Sequence, residues 1–305
     1  MITIGELIRT NRVQQGISQE YLSYGICSVS SLSRIENGLQ MPSRANFDAL
    51  TERMGLSTEL FPSFMNDREV EAFKLKHQIN QKLIAARNDE AEILLNRLCA
   101  MPKLERKYIQ FTMYARAVLS RQRNGKPEDV LKSLKEAAKL SIRETAPEKI
   151  PQQFLSMDEL SILNNLAIAH YDNDMQQEGI DILYALKEYI ERKVADKESV
   201  APMYTAILFN LSKWIGLKGF YYETIKLAEI GIQHCIEYGA YFTFAQLLFN
   251  KGYALLMLGQ EQEAKEYILQ AYYIQKARGI QAACNAYNEF AREHNIDLFS
   301  GNAHC

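Results

Sequence analysis

Apolar residues along this chain recur three and four apart, the spacing that lines one face of an α-helix. Ile4, Leu7 and Ile8 form a first stripe. Thr3 with Glu6 three residues later reads as a capping box before it, and Gly16 offers a left-handed stop after it. Ser18 caps a short helix from Gln19 to Tyr24 with Leu22 facing inward, and Gly25 breaks it. Ser28 caps the next helix, which ends at Asn37-Gly38. Pro42-Ser43 open a fourth helix carrying Phe47, Leu50 and Met54 and closed by Gly55, and Ser57 starts a last turn that Pro62 limits. Five short helices, the second and third joined by a tight glycine-containing turn, predict a helix-turn-helix domain over residues 1–66.

The third of these helices is unusual. In SSLSRIENG, Ser30 to Gly38, only Leu32 and Ile35 are strongly apolar. With those two turned to the core, Ser30, Ser33, Arg34 and Asn37 fall on the opposite side. Small or hydrogen-bonding side chains there let a helix backbone approach base edges in the major groove. A solvated surface helix would share this composition, and the helix alone does not decide between the two.

From about Asp67 the chain reads as consecutive helices with an internal repeat. LNNLAIAHYDNDMQQEGIDILYAL, LFNLSKWIGLKGFYYETIKLAEIG and LFNKGYALLMLGQEQEAKEYILQA align on one pattern. A small residue stands at Ala167, Ser212 and Gly252. Gly179, Thr224 and Ala264 follow twelve positions later, then Leu183, Ala228 and Ile268 after four more. Successive units are offset by 45 and then 40 residues, from Ala167 to Ser212 and from Ser212 to Gly252. Weaker copies lie around Ile79 to Leu98 and Ala115 to Ala137, the latter with a longer turn at Asn124-Gly125-Lys126-Pro127. Some five helix pairs result over residues 67–305, with Ala282 to Glu293 as a capping helix.

One position recurs with a polar residue. Asn165, Asn210 and Asn250 each stand two residues before the small residue of their unit. Asn is a mediocre helix former, so propensity does not explain three of them. A primary amide both donates and accepts, and a row of amides could hold the main chain of an extended peptide. The plainer alternative is that the three bond one another or water. Asn164, Phe209, Lys213, Phe249 and Tyr253 would line the same groove, with Asn80 and Arg116 from earlier units. Aromatics there could form side-chain pockets, and Lys213 or Arg116 could meet a carboxylate.

At 305 residues, 47% hydrophobic, with 7 Pro and 15 Gly, the chain can bury a real core in about two domains and favours helices. Its formal charge of −2 carries no global nucleic-acid signature, so any DNA contact must be local. Residues 1–66 hold Arg9, Arg12, Arg34, Arg44 and Arg53 and no Lys, against Glu6, Glu20, Glu36, Asp48, Glu52 and Glu59. So few cations predict weak DNA binding by a monomer and a homodimer on paired half-sites.

The 5 cysteines (Cys27, Cys99, Cys235, Cys284, Cys305) are scattered without a C-x-x-C pair, which fits reduced thiols and a cytoplasmic protein. The N-terminus lacks the apolar run of a signal peptide. The most apolar long stretch, Ala240 to Leu258, contains Gln246, Asn250 and Lys251 and is a poor membrane span. His77, His170, His234, His294 and His304 show no metal-ligand spacing. G-x-G-x-x-G, P-loop, H-E-x-x-H and nucleophile-elbow motifs are all missing, so neither an enzyme nor a cofactor is expected.

The string G-I-S-Q-E-Y-L…S-x-x-S-R-I-E-N-G-x-x-x-P-S resembles the phage-repressor type of helix-turn-helix, from about Ile4 to Phe61. That resemblance implies a phosphate- or base-contacting Gln19, base-facing Ser30 and Ser33, and a phosphate- or base-contacting Arg34. It also implies a structural ion pair of Arg12 with Glu36. Asn37 and Arg44 complete the candidate DNA-binding set. The later repeats resemble a tetratricopeptide array, which implies an all-α chain whose helix pairs stack into a right-handed superhelix with a concave inner face. Together the two parts resemble the cytoplasmic pheromone receptors of Gram-positive bacteria, the Rgg, PlcR and PrgX group. In that group an imported short peptide binds the concave face and alters the dimer, so that DNA binding or transcription changes. The implied partners are a double-stranded DNA operator, a short signalling peptide and a second copy of the chain. The asparagines match the group's peptide-anchoring positions. The alternative is a helix-turn-helix regulator whose repeats bind a protein partner or only dimerise.

Overall fold

The computed structural model describes residues 3–56 and 67–298, and among these the only regular elements are helices. The turn expected at Ser57 to Pro62 lies outside the described residues. The chain forms two compact units, Met1–Asp196 and Lys197–Cys305, each described by itself.

The first unit opens with α1 (Ile4–Gln14), α2 (Gln19–Ser23), α3 (Val29–Glu36) and α4 (Arg44–Arg53). Each start is closed by a hydroxyl, as the caps in the sequence predict. Thr3 and Glu6 exchange bonds in a capping box, Thr3 N donating to Glu6 at 2.8 Å and Glu6 N to Thr3 Oγ1 at 3.2 Å. Ser18, Ser28 and Ser43 accept from the backbone of Tyr21, Ser31 and Asn46. Helix α2 ends one residue earlier than expected because Tyr24 has left the helical region. Ile8, Ile17, Leu22, Leu32, Ile35, Phe47, Leu50 and Met54 form the shared core.

The unit continues with α5 (Asp67–Ile84), α6 (Asn88–Cys99), α7 (Arg106–Gln122), α8 (Pro127–Ala138), α9 (Met157–Asp172) and α10 (Gln176–Lys193). The second unit contains α11 (Lys197–Leu217), α12 (Tyr221–Tyr238), α13 (Phe244–Met257), α14 (Glu261–Ala277) and α15 (Gln281–Glu293). Among the described residues the repeats form five helix pairs, from α5–α6 to α13–α14, and α15 packs on α14 as the capping helix. The small residues sit where paired helices touch. A Cβ built on Gly179 would lie 2.6 Å from the Ala167 carbonyl, and one on Gly252 would lie 3.0 Å from that of Ala264. Close approach of this kind excludes larger side chains.

Within the first unit the helix-turn-helix is fastened to the repeats by buried polar contacts. Arg53, at the end of α4, donates through Nη1 to the carbonyls of Leu22 at 3.1 Å and Tyr24 at 2.6 Å. Its Nη2 pairs with Glu159 of α9, the two side chains being 3% and 2% exposed. The other Glu159 oxygen accepts from Ser156 N at 2.8 Å and completes the capping box of α9. Ser43, the cap of α4, donates to Glu105 at 2.7 Å, while within the repeats Lys76 of α5 meets Asp158 of α9 at 2.6 Å. Gly25, at φ +73°, makes the turn between α2 and α3 against Ser141; a Cβ there would sit 2.3 Å from Ser141 Cα. Phe154 reaches into the same core, edge-on to Tyr21 at 5.8 Å.

Removing one partner of a buried ion pair strands the other charge away from water, at a cost of ~3–5 kcal/mol. Glu159→Ala is therefore expected to lower unfolding free energy by about that much in urea titration. A loss below ~1 kcal/mol, the range of exposed pairs, would contradict the structural role.

Candidate nucleic-acid interface and peptide pocket

Helix α3 buries Leu32, Ile35 and Glu36 and turns Ser30, Arg34 and Asn37 to solvent, with Ser33 half-buried between them. Arg34 is in no ion pair among the described residues. Asn37 returns its amide to the Ser33 carbonyl at 2.9 Å, and Ser30 shares a hydroxyl bond with Ser28 at 2.9 Å. The backbone of α3 can therefore be approached closely along this side. Val29 adds a residue that the sequence pattern disguised. Standing three before Leu32 it reads as core, yet it is 44% exposed at the start of the helix. An apolar side chain at that end suits a thymine methyl group.

The orientation of α3 is set from below. Arg12 forks onto Glu36, Nε to Oε1 at 2.6 Å and Nη2 to Oε2 at 2.8 Å, while its Nη1 holds the Ile17 carbonyl at 2.8 Å. Gln19 Nε2 donates to the same carboxylate at 2.7 Å. One carboxylate thus ties α1, α2 and α3 together, and the amide nitrogen of Gln19 is engaged in positioning α3. Arg44 departs from the expected set. Its side chain is 11% exposed and bonded to Asp48 at 2.7 Å, with the guanidinium over the Phe47 ring. A phosphate would have to displace Asp48, so Arg44 does not join the exposed face.

A cavity of about 330 Å³ opens in the second unit. Phe249 and Tyr287 stack at 4.4 Å and 9°, Phe290 stands edge-on to Phe249 at 5.1 Å, and Phe209 and Tyr253 complete an aromatic wall. Ser212, Gln246 and Asn250 supply polar atoms, and exposed Lys213 stands at the lining. Phe209, Lys213, Phe249, Asn250 and Tyr253 are thus brought together. Tyr287 and Phe290 of α15 were missed, because two aromatics three apart on a capping helix read as core.

The three equivalent asparagines have different environments. Asn250 is 7% exposed and donates to the Phe209 carbonyl at 3.1 Å and Ser212 Oγ at 2.8 Å, which fastens α13 to α11. Asn165 donates to Tyr114 OH at 3.3 Å and to the Ser161 carbonyl one turn back at 3.0 Å. The Asn210 side chain is half-buried and makes no hydrogen bond among the described residues. Asn164, beside Asn165, has a buried Oδ1 without a partner. Asn80 is half-buried on α5, and Arg116 is exposed on α7 with Nη2 at 3.4 Å from Cys99 Sγ. Asn80, Arg116, Asn164 and Asn165 belong to the first unit, and the aromatic cavity to the second.

Residues 8–61 match the family described as Helix-turn-helix. The architecture is that of helix-turn-helix proteins with tetratricopeptide-like repeats. In particular, the fold is similar to the crystal structure of Bacillus thuringiensis PlcR in complex with the peptide PapR7 and DNA, at 19% identity, covering 94% of this chain and 99% of that one, with a TM-score of 0.62. It is similar to PlcR in its apo form at 17% identity, with 95% and 99% covered and a TM-score of 0.61. The apo form of ComR from S. thermophilus matches at 14% identity, with 96% and 99% covered and a TM-score of 0.51. No curated protein matches the chain in sequence. Among the described residues no helix is long and apolar enough to cross a membrane.

Burial pushes the Glu36 carboxyl up, but the hydrogen bonds from Arg12 and Gln19 and the charges of Arg12 and Arg9 outweigh it and hold the group below its usual value. With a depressed folded pKa, the stability Glu36 contributes is complete above its unfolded value, about 4.3, and is lost as pH falls through the folded one. Chemical unfolding followed downward from about pH 5 should show a shallower acid loss in Glu36→Gln than in wild type. Parallel pH curves would contradict this.

Proposed function

We propose that the protein is a transcription regulator that reads a double-stranded operator with α3 and responds to a short signalling peptide bound by its repeats. Occupancy of the repeats changes DNA binding or transcription. The match of residues 8–61 to the Helix-turn-helix family and the open face of Val29, Ser30, Ser33, Arg34 and Asn37 support the DNA half. The observation that carries the peptide half is the aromatic cavity of about 330 Å³. Extended peptides are held by main-chain bonds and by pockets for individual side chains. A stacked aromatic wall suits a large apolar side chain, and Lys213 suits a carboxylate. Asn210, whose amide is uncommitted, suits a peptide main chain, whereas Asn250 is engaged in joining α13 to α11. PlcR was crystallised with both a peptide and DNA, and the likeness of fold extends that pair of partners to this chain as a proposal.

A second reading has the repeats bind a folded partner or a second copy. The turn between α11 and α12 favours it, since Leu217, Phe220 and Tyr222 are all exposed there, Tyr222 by 79%. A homodimer is compatible with both readings, and paired half-sites would double the cations offered to DNA.

Mass spectrometry of material co-purifying from native culture medium should recover a peptide of fewer than about ten residues. In calorimetry with that peptide, Phe249→Ala should cost ~2 kcal/mol or more and Asn210→Ala about 1 kcal/mol. Wild-type affinity in both variants would overturn the pocket. Arg34→Ala should weaken binding by ~1–3 kcal/mol in a gel shift with a duplex selected from a random pool. Unchanged operator affinity would remove Arg34 from the interface.

A further inference from the structure

The helix-turn-helix is short of charge for its task. Of the arginines in residues 3–56, Arg12 is bound to Glu36, Arg44 to Asp48 and Arg53 to Glu159. Arg9 and Arg34 are the exposed ones. Neutralising backbone phosphates supplies much of the affinity of a DNA-binding protein. Two exposed cations per copy provide little of it.

Further cations stand directly beside the helix-turn-helix, on the first repeats. Arg143 donates through Nη2 to the Glu20 carbonyl at 3.1 Å and lies over the rings of Tyr21 and Tyr24, at 4.5 Å and 4.6 Å. Ser141 packs on Gly25, within the turn that leads to the Ser28 cap of α3. The segment just past α8 therefore abuts α2 and the entry to α3. Back along α8, Lys132 and Lys135, with Lys139 capping its C-terminal end, are exposed and spaced three and four apart, hence on one face. Lys132 and Lys135 are in no ion pair among the described residues. Lys139 pairs with Glu136 at 3.0 Å, an exposed contact that a phosphate can replace at little cost. The stripe from Lys132 to Lys139 extends ~10 Å along the helix, long enough for two or three phosphates of one strand.

We infer that Lys132 and Lys135 of α8 and its capping Lys139, continued by Arg143 against α2, form a second contact surface for the DNA backbone, flanking the bases that α3 reads. The occupant follows from continuity with the helix-turn-helix and from cations, Lys132, Lys135, Lys139 and Arg143, that outnumber Glu128, Asp129 and Glu136 on the exposed side of the same helix. The inference rests on the DNA half of the proposed function and is independent of the peptide half. It assigns sequence reading to α3 and part of the phosphate binding to a repeat helix, so the repeats act on DNA directly as well as through any ligand they hold.

The test is fluorescence anisotropy of the full chain on a fluorescent duplex selected from a random pool, over a series of salt concentrations. Wild type is compared with Lys132→Ala/Lys135→Ala/Lys139→Ala and with Arg34→Ala. All three lysines are exposed, and circular dichroism checks that α8 is retained. The triple variant should show a log K against log salt slope shallower by about two to three, near 0.9 for each phosphate no longer neutralised. Its preference for the selected duplex over a scrambled one should be unchanged. Trimming the duplex to its half-sites should weaken wild type and leave the triple variant unaffected. A wild-type slope in the triple variant, with Arg34→Ala still losing preference, overturns the lysine surface alone. Failure of wild type to prefer the selected duplex overturns this inference and the DNA reading together.

Discussion

The buried pairing of Arg53 with Glu159 is the constraint on which the first unit depends. Arg53 closes α4 and holds the carbonyls of Leu22 and Tyr24, so it fixes the end of α2 that leads into α3. Glu159 caps the first turn of α9 with its other oxygen. One carboxylate therefore starts a repeat helix and positions the helix-turn-helix. Such a pair adds little net stability over an apolar contact of the same shape, but once built it resists any arrangement that leaves either charge unpaired. Asn164 and Asn165 lie on the same α9, five and six residues beyond Glu159, which is ~8–9 Å along the axis.

Local features of this fold were legible in the sequence, and contacts between distant segments were not. The caps at Thr3, Ser18, Ser28 and Ser43 and the stripe of Leu32 and Ile35 are set by residues within four positions of one another. The small residues at Ala167 and Gly179, and at Gly252 and Ala264, repeat because each helix pair must close on itself. The Arg12–Glu36 pair followed from resemblance to the phage-repressor helix-turn-helix. By contrast, Arg53 and Glu159 are separated by 106 residues, and neither stands in a pattern that names the other. Arg44 looked like a free cation because Asp48, four residues on, also reads as an exposed helical partner, whereas both are largely buried. The asparagine row shows the limit of repeat symmetry. Equivalent positions in successive units met different neighbours, so one amide joins two helices, one bonds Tyr114, and one remains open.

Charge and shape divide the work between the parts. The helix-turn-helix uses most of its arginines internally, which orders α3 at the expense of phosphate binding. The repeats offer what it lacks: exposed lysines on α8, and an aromatic cavity lined from α11, α13 and α15. The proposed function assigns signal and operator to different helices, and the buried contact of Arg53 with Glu159 joins α9 to the end of α2 that leads into α3.

The most direct test of this coupling is a pair of calorimetric titrations with the recovered peptide, one on the free protein and one on the protein saturated with operator duplex, set beside operator titrations with and without peptide. If peptide changes operator affinity by some factor, operator must change peptide affinity by the same factor. A shared factor clearly different from one is expected. Operator affinity unaltered by saturating peptide, with peptide affinity equally indifferent to operator, would contradict a peptide-responsive regulator and leave a DNA-binding protein with an unrelated pocket.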